Sequence, residues 1–138
     1  MRIFIFIFAL LFSTSLYANE YKITRVLDGD TVEIAAPFLP KELKQSLLLR
    51  MEGIDTPEIG GKAKCPLENK LAQQAKELIQ NEIAKAKQVN VVLVKWDKYG
   101  GRVIGKIFVD GKNLSDIMIA SKLAYAYDGK KKQSWCEK

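Results

Sequence analysis

Asp28-Gly29-Asp30-Thr31 sets two carboxylates around one glycine. Arg50 stands further along, and the run Asp55-Thr56-Pro57-Glu58 begins five residues after it. A third polar segment, Asp97-Lys98-Tyr99-Gly100-Gly101-Arg102, ends on another arginine. These residue types suit phosphoryl transfer. A hard cation takes oxygen ligands, which Asp30, Asp55 and the Thr56 carbonyl can supply. Arg50 and Arg102 offer bidentate donors to phosphate oxygens that gain charge in the transition state. Water attacking phosphorus needs a base, and Glu58 is the nearest remaining carboxylate by sequence. Asp-Gly-Asp alone is a common turn. The joint occurrence of the three segments carries the inference.

Composition narrows the chemistry further. The 138 residues include 22 Lys and Arg, 16 Asp and Glu, and no His. Without His there is no Ser-His-Asp or Cys-His machinery and no His-ligated zinc. Two Cys cannot form a Cys₄ zinc site. Hydrolysis by this chain falls to carboxylates, Lys or Arg, or a metal held on oxygen.

The first eighteen residues read as a separate element. Met1-Arg2 is a minimal basic start, and residues 3–12 (IFIFIFALLF) are unbroken apolar positions. Ala18 then offers a small residue before Asn19. This layout predicts a cleaved signal peptide over 1–18, a domain over 19–138, and a periplasmic or extracellular destination. A spanning helix needs about twenty apolar residues, so membrane association is not expected after cleavage. Removal takes away one charged residue, Arg2, and leaves 21 basic against 16 acidic side chains, a net +5. Such a surplus suits an anionic partner such as nucleic acid.

The elements that must position these residues follow from pattern. Strands are expected over 20–27, 31–35 and 46–53, where Leu47, Leu49 and Met51 share one face and Arg50 and Glu52 the other. Pro66 opens a helix to about Lys87, with Leu67, Leu71, Ala75, Leu78, Ile79 and Ile83 as its apolar stripe. Strands over 89–96 and 102–109 follow. Asn113 then caps a short helix through Leu123, with Leu114, Ile117, Met118 and Leu123 inward. Three strands, a helix, two strands and a helix match a mainly β fold with helices, a five-stranded Greek-key OB barrel.

The chain resembles the thermonuclease, or staphylococcal nuclease-like, family. The resemblance rests on Asp28-Gly29-Asp30-Thr31-Val32, on Arg50-Met51-Glu52-Gly53-Ile54-Asp55-Thr56-Pro57-Glu58, on Asp97 through Arg102, and on Tyr125-Ala126-Tyr127. It implies an OB-fold nuclease that hydrolyses DNA and RNA with Ca²⁺. In that family's terms Asp30 and Asp55 resemble the metal carboxylates, and Thr56 the residue whose carbonyl joins them. Glu58 resembles the general base, and Arg50 and Arg102 the phosphate-binding pair. Lys98, Tyr99, Tyr125 and Tyr127 resemble residues that line the nucleotide pocket. Stacking on Tyr is tolerant of sequence, and single-stranded or unpaired substrate presents its base faces most readily. A monomer is expected. Mg²⁺ or Mn²⁺ are alternatives to Ca²⁺, because oxygen ligands discriminate by cavity size and rigidity.

The sequence departs from the best-known members in three places. An extra glycine, Gly100-Gly101, precedes Arg102; Ile59–Lys64 replaces a lysine-rich loop; and the last fifteen residues, 124–138, read as polar, basic and irregular rather than as a long helix. An even pair of Cys in an oxidising compartment reads as a disulfide, Cys65 to Cys136, which brings the tail beside the loop after Glu58; the alternative is two free thiols. Lys130–Lys132 either adds phosphate contacts or is a solvated terminus. Trp96 and Trp135 read as packing residues. Two further classes of function use the same scaffold: a catalytically silent module that binds nucleic acid, and a protein-interaction domain. Neither needs two metal carboxylates beside two Arg and a further Glu.

Overall fold

A computed structural model describes residues 21–137. The proposed signal peptide over 1–18 lies outside the described residues. In chain order the elements are β1 (Ile23–Val26), β2 (Thr31–Ala35), β3 (Ser46–Met51), β4 (Ile54–Asp55), a 3₁₀ turn (Gly60–Lys62), α1 (Pro66–Lys85), β5 (Val89–Trp96), β6 (Arg102–Val109), β7 (Lys112–Asn113), α2 (Leu114–Ala120) and β8 (Tyr125–Ala126). No helix among them is long and apolar enough to cross a membrane.

The main sheet runs β1-β2-β3-β6-β5, with β7 paired to β6. β3 and β6 are parallel; the other ladders of this sheet are antiparallel. This is the strand order of an OB fold, with α1 between the third and fourth long strands. The fold class is the expected one, mainly β with two helices in OB order, and the barrel is open: no ladder joins β1 to β5 among the described residues. β1 is four residues long, with a bulge between Ile23 and Arg25, against eight in β5. Ile23 and Val26 of β1 and Val89 and Leu93 of β5 are partly buried against the core.

Alternation sets the inner face. Leu47, Leu49 and Met51 of β3 are buried, as are Val103, Ile107 and Val109 of β6. Arg50 and Arg102 occupy the opposite face of these two strands. The third strand ends earlier than the sequence predicts, at Met51. Gly53, at φ +80°, turns the chain there, and β4 pairs instead with β8 in a two-stranded ladder.

α1 has Cys65 as its N-cap and Pro66 in its first turn, where a missing N–H costs nothing. Its buried line is Glu68, Ala72, Ala75 and Ile79. Leu67 of the expected stripe is exposed, while Leu78 and Ile83 are partly buried against the core. The inner line is mostly small, so the helix approaches the β1–β2 hairpin closely. Asn113 caps α2 by accepting from the Ser115 N–H at 3.0 Å. Leu114 and Met118 are fully buried. Trp96, expected to pack, is 65 % exposed on β5, whereas Trp135 is buried.

Close approach makes Gly29 a packing requirement. A Cβ there would stand 2.7 Å from the Ala75 Cβ and 3.0 Å from Thr56. Both neighbours are fixed, one on a helix and one in a buried loop. Gly29→Ala should therefore destabilise by about 1–3 kcal/mol through overpacking. Urea unfolding measures it, and an unchanged midpoint would contradict this packing.

Candidate functional site

The loops after β1, β4 and β5 and the C-terminal tail converge on one cleft of about 520 Å³. Its lining includes Asp28, Asp30, Arg50, Thr56, Glu58 and Lys62 from the first half of the chain. Lys98, Tyr99, Arg102, Tyr127 and Lys132 come from the second half.

Strand register explains the meeting. Thr31 of β2 pairs with Arg50 of β3, and Met51 N–H donates to the Asp30 carbonyl at 2.7 Å. Asp30 is thereby fixed beside Arg50, whose Nη1 lies 2.8 Å from Asp30 Oδ2. Thr31 Oγ1 donates to Asp30 Oδ1 at 2.9 Å. Arg50 Nη2 also donates to the Ile54 carbonyl at 3.2 Å and stands 3.9 Å from Asp55 Oδ1. Arg50 thus bridges the two halves of the carboxylate cluster. Parallel pairing of β3 with β6 sets Leu48 against Arg102 and Arg50 against Ile104. The two arginines therefore emerge on the same face of adjacent strands.

The extra glycine does not displace Arg102. Asp97 N–H donates to the Arg102 carbonyl at 3.0 Å, and Gly101 takes φ +73° to close the turn. The ladder irregularity falls in β5, between Leu93 and Lys95, away from the two glycines. Arg102 Nε donates to Asp97 Oδ2, and its guanidinium lies 4.7 Å from the Tyr99 ring centroid. Burial alone would raise the Asp97 carboxyl. The Arg102 hydrogen bond, the Lys98 N–H and the charges of Arg102 and Arg50 outweigh it and hold Asp97 below its ordinary value. Asp28 goes the other way, raised by burial and then by the neighbouring Asp30 charge.

Asp55 and Thr56 are buried, at 2 % and 4 % exposure. Asp55 Oδ1 receives no aligned hydrogen bond; its polar neighbours are cations, Lys132 Nζ at 2.7 Å and Arg50. Lys132 Nζ also lies 3.3 Å from Glu58 Oε1 and 6.0 Å from the Tyr127 ring. Burial lowers the Lys132 ammonium, but Asp55 and Glu58 outweigh that and raise it above its ordinary value. It is charged at neutral pH.

The donors available to a cation are all oxygens: Asp30, Asp55 and the Thr56 carbonyl. Carboxylate and carbonyl oxygens are the donors a hard cation takes, and Asp30, Asp55 and Thr56 are all buried here. Among the described residues no three His, Cys, Asp or Glu groups converge to cage a metal. A cation held here would complete its shell with water.

The structure brings Asp30, Arg50, Asp55, Thr56, Glu58, Lys98, Tyr99, Arg102 and Tyr127 together. It places Tyr125 elsewhere. The Tyr125 ring stacks on Trp135, with centroids 4.1 Å apart and planes at 28°, and does not line the cleft. The bridge between Cys65 and Cys136, with Cα atoms 6.0 Å apart, fixes the same tail.

Sequence reasoning missed two site residues. Lys132 lay unresolved within a basic run. Its signal was Cys136, four residues on, whose bridge to Cys65 holds the tail where Lys132 meets Asp55 and Glu58. Glu68 was hidden inside a helix. Its Oε1 accepts from Glu58 N–H at 3.2 Å and its Oε2 from Lys64 N–H at 2.7 Å. A buried carboxylate in the first turn of α1 thus pins both ends of the loop that presents Glu58. Glu68→Gln sets an amide donor against one of these N–H groups, a cost of about 1–3 kcal/mol. Hydrogen exchange at Glu58 or Lys64 should quicken by roughly 5- to 150-fold, and unchanged protection at both would contradict the pinning.

The family described as staphylococcal nuclease homologue matches residues 48–137. An uncharacterized endonuclease of Escherichia coli is 26 % identical over 108 residues, covering 78 % of this chain and 60 % of that protein. Its counterpart in Escherichia coli O157:H7 gives the same identity and coverage. This chain thus spans 60 % of the length of these curated relatives. On the match over residues 48–137, the chain belongs to the staphylococcal nuclease homologue family.

Proposed function

We propose that the chain is an exported, metal-dependent nuclease that hydrolyses phosphodiester bonds of DNA and RNA with little sequence preference. One observation carries this reading: Asp30, Arg50, Thr56, Glu58 and Arg102 line a single cleft, with Asp55 against it through Lys132 and Arg50. The two relatives are named endonucleases, which favours internal cleavage.

Asp30, Asp55 and the Thr56 carbonyl would hold Ca²⁺, with Mg²⁺ or Mn²⁺ as alternatives. When bound, the ion supplies positive charge to the phosphate oxygens and to the transition state. The remaining work belongs to this chain's own side chains. Glu58, with its side chain 39 % exposed, accepts a proton from the attacking water. Arg102 uses Nε for Asp97, which leaves its terminal amino groups for a phosphate. Arg50, tied to Asp30, holds a second donor set at the other side of the cleft.

Tyr99 is 56 % exposed, and Arg102 lies over its ring. A base can stack there beside the phosphate-binding guanidinium, with Lys98 adding charge and Tyr127 further along the cleft. Stacking of this kind favours unpaired strands. The Cys65–Cys136 bridge supports an exported protein, since disulfides persist in oxidising compartments.

The test uses a labelled single-stranded DNA with Ca²⁺, with and without chelator. Cleavage should stop with chelator. Glu58→Gln should lower kcat by about 10²- to 10⁴-fold while leaving substrate affinity near wild type. Chelator-insensitive binding with no cleavage would mark a silent binding module instead. Full cleavage by Glu58→Gln would sink the role given to that carboxylate.

A further inference from the structure

Lys132 touches the two carboxylates to which different tasks are given above. Its Nζ is 2.7 Å from Asp55 Oδ1 and 3.3 Å from Glu58 Oε1. The Asp55 side chain is 3 % exposed, and a carboxylate so deeply buried requires a counter-charge. Arg50 is more distant at 3.9 Å and is already committed to Asp30 and to the Ile54 carbonyl. The near counter-charge is therefore Lys132.

The two cations on the cluster are held differently. The Arg50 side chain is 20 % exposed and set on a central strand. Lys132 is 47 % exposed, on a segment without helix or strand. It can swing into solvent without disturbing the core. Two anchors just beyond it fix its starting point: Trp135 stacked on Tyr125, and Cys136 bridged to Cys65. A tether this short keeps the ammonium at high effective concentration over Asp55.

Resting on the reading of Asp30 and Asp55 as cation ligands, we propose that Lys132 is a tethered competitor for that cation. Its ammonium occupies the position on Asp55 and must be displaced before a divalent ion binds. A divalent ion and an ammonium in direct contact with one buried carboxylate oxygen repel strongly. Lys132 therefore raises the ion concentration at which the site fills. It also keeps Asp55 compensated when divalent ions are scarce, so the fold does not depend on them. If Lys132 holds Asp55 about nine-tenths of the time, the apparent ion affinity falls about tenfold.

Titration calorimetry with Ca²⁺ alone, on the full oxidised protein without nucleic acid, tests this. Lys132→Met should bind Ca²⁺ about tenfold tighter than wild type, whereas Lys132→Arg, which keeps the charge, should stay within about twofold. Damage to the fold does not produce such a gain. Reducing the disulfide should tighten wild type toward the Lys132→Met value and leave Lys132→Met unchanged. Thermal unfolding is a second readout, in which Ca²⁺ should raise the Tm of Lys132→Met more than that of wild type. Asp30→Asn in the Lys132→Met background should remove the binding heat. Equal or weaker Ca²⁺ affinity in Lys132→Met, with wild type still binding, overturns the competitor and leaves the cation site standing. Absence of Ca²⁺ binding in wild type and variant alike overturns both.

Discussion

The parallel pairing of β3 with β6 governs most of this molecule. Parallel neighbours cannot be joined by a tight hairpin, so the chain between them must cross over. α1 and β5 fill that crossover, and α1 brings its N-terminus and Glu68 to the loop that carries Glu58. The same pairing offsets Arg50 and Arg102 by one side-chain step on a common face. Antiparallel ladders on either side then add Asp30 through β2 and Asp97 through β5. The cleft is the place where these registers end together.

Charge compensation is the second constraint. Three carboxylates at the cleft have a named cation: Asp30 has Arg50, Asp97 has Arg102, and Asp55 has Lys132. Removing charges from water is costly, and a buried pair adds little net stability. Glu33 on β2 shows a pattern away from the cleft. Lys44, Ser46 and Arg25 hold its carboxyl below the ordinary value, mainly through the Lys44 hydrogen bond. In the cleft the pairs set carboxylates directly against cationic side chains, Asp30 and Asp97 against the two arginines and Asp55 against Lys132.

What was legible in the sequence divides by the range of the interaction. β2, β5 and β6 lie where turn signals and β-branched runs put them, and β6 also alternates strictly between buried and half-buried positions. Asp30, Arg50, Glu58 and Arg102 were legible as a family pattern, and register explains why that spacing brings them together. The two-residue ladder of β4 with β8 leaves no periodic trace. The inner line of α1 was displaced because it packs through Ala72 and Ala75 rather than through its largest residues. Leu67 is large enough to read as core, yet it stands on the outer side of the first turn. Trp96 reads as packing by hydrophobicity alone, but it is the last residue of β5, an edge strand among the described residues, and its ring is exposed. Barrel closure depends on whether β1 runs along β5, and that is a matter of strand length and bulges rather than of element order.

The tail shows how one constraint both takes from the site and gives to it. Tyr125 sits opposite Asp55 in the β4–β8 ladder, close enough to the cleft for its sequence position to suggest a stacking surface. Trp135 covers its ring, and the bridge to Cys65 keeps Trp135 there. An aromatic surface is lost to the cleft by that contact. The contact also fixes the direction in which the preceding residues leave, and Lys132 is delivered onto Asp55. A basic run with no anchor beyond it would have no reason to choose that oxygen over the solvent. Anchored on both a ring and a sulfur, it becomes part of the electrostatics of the site.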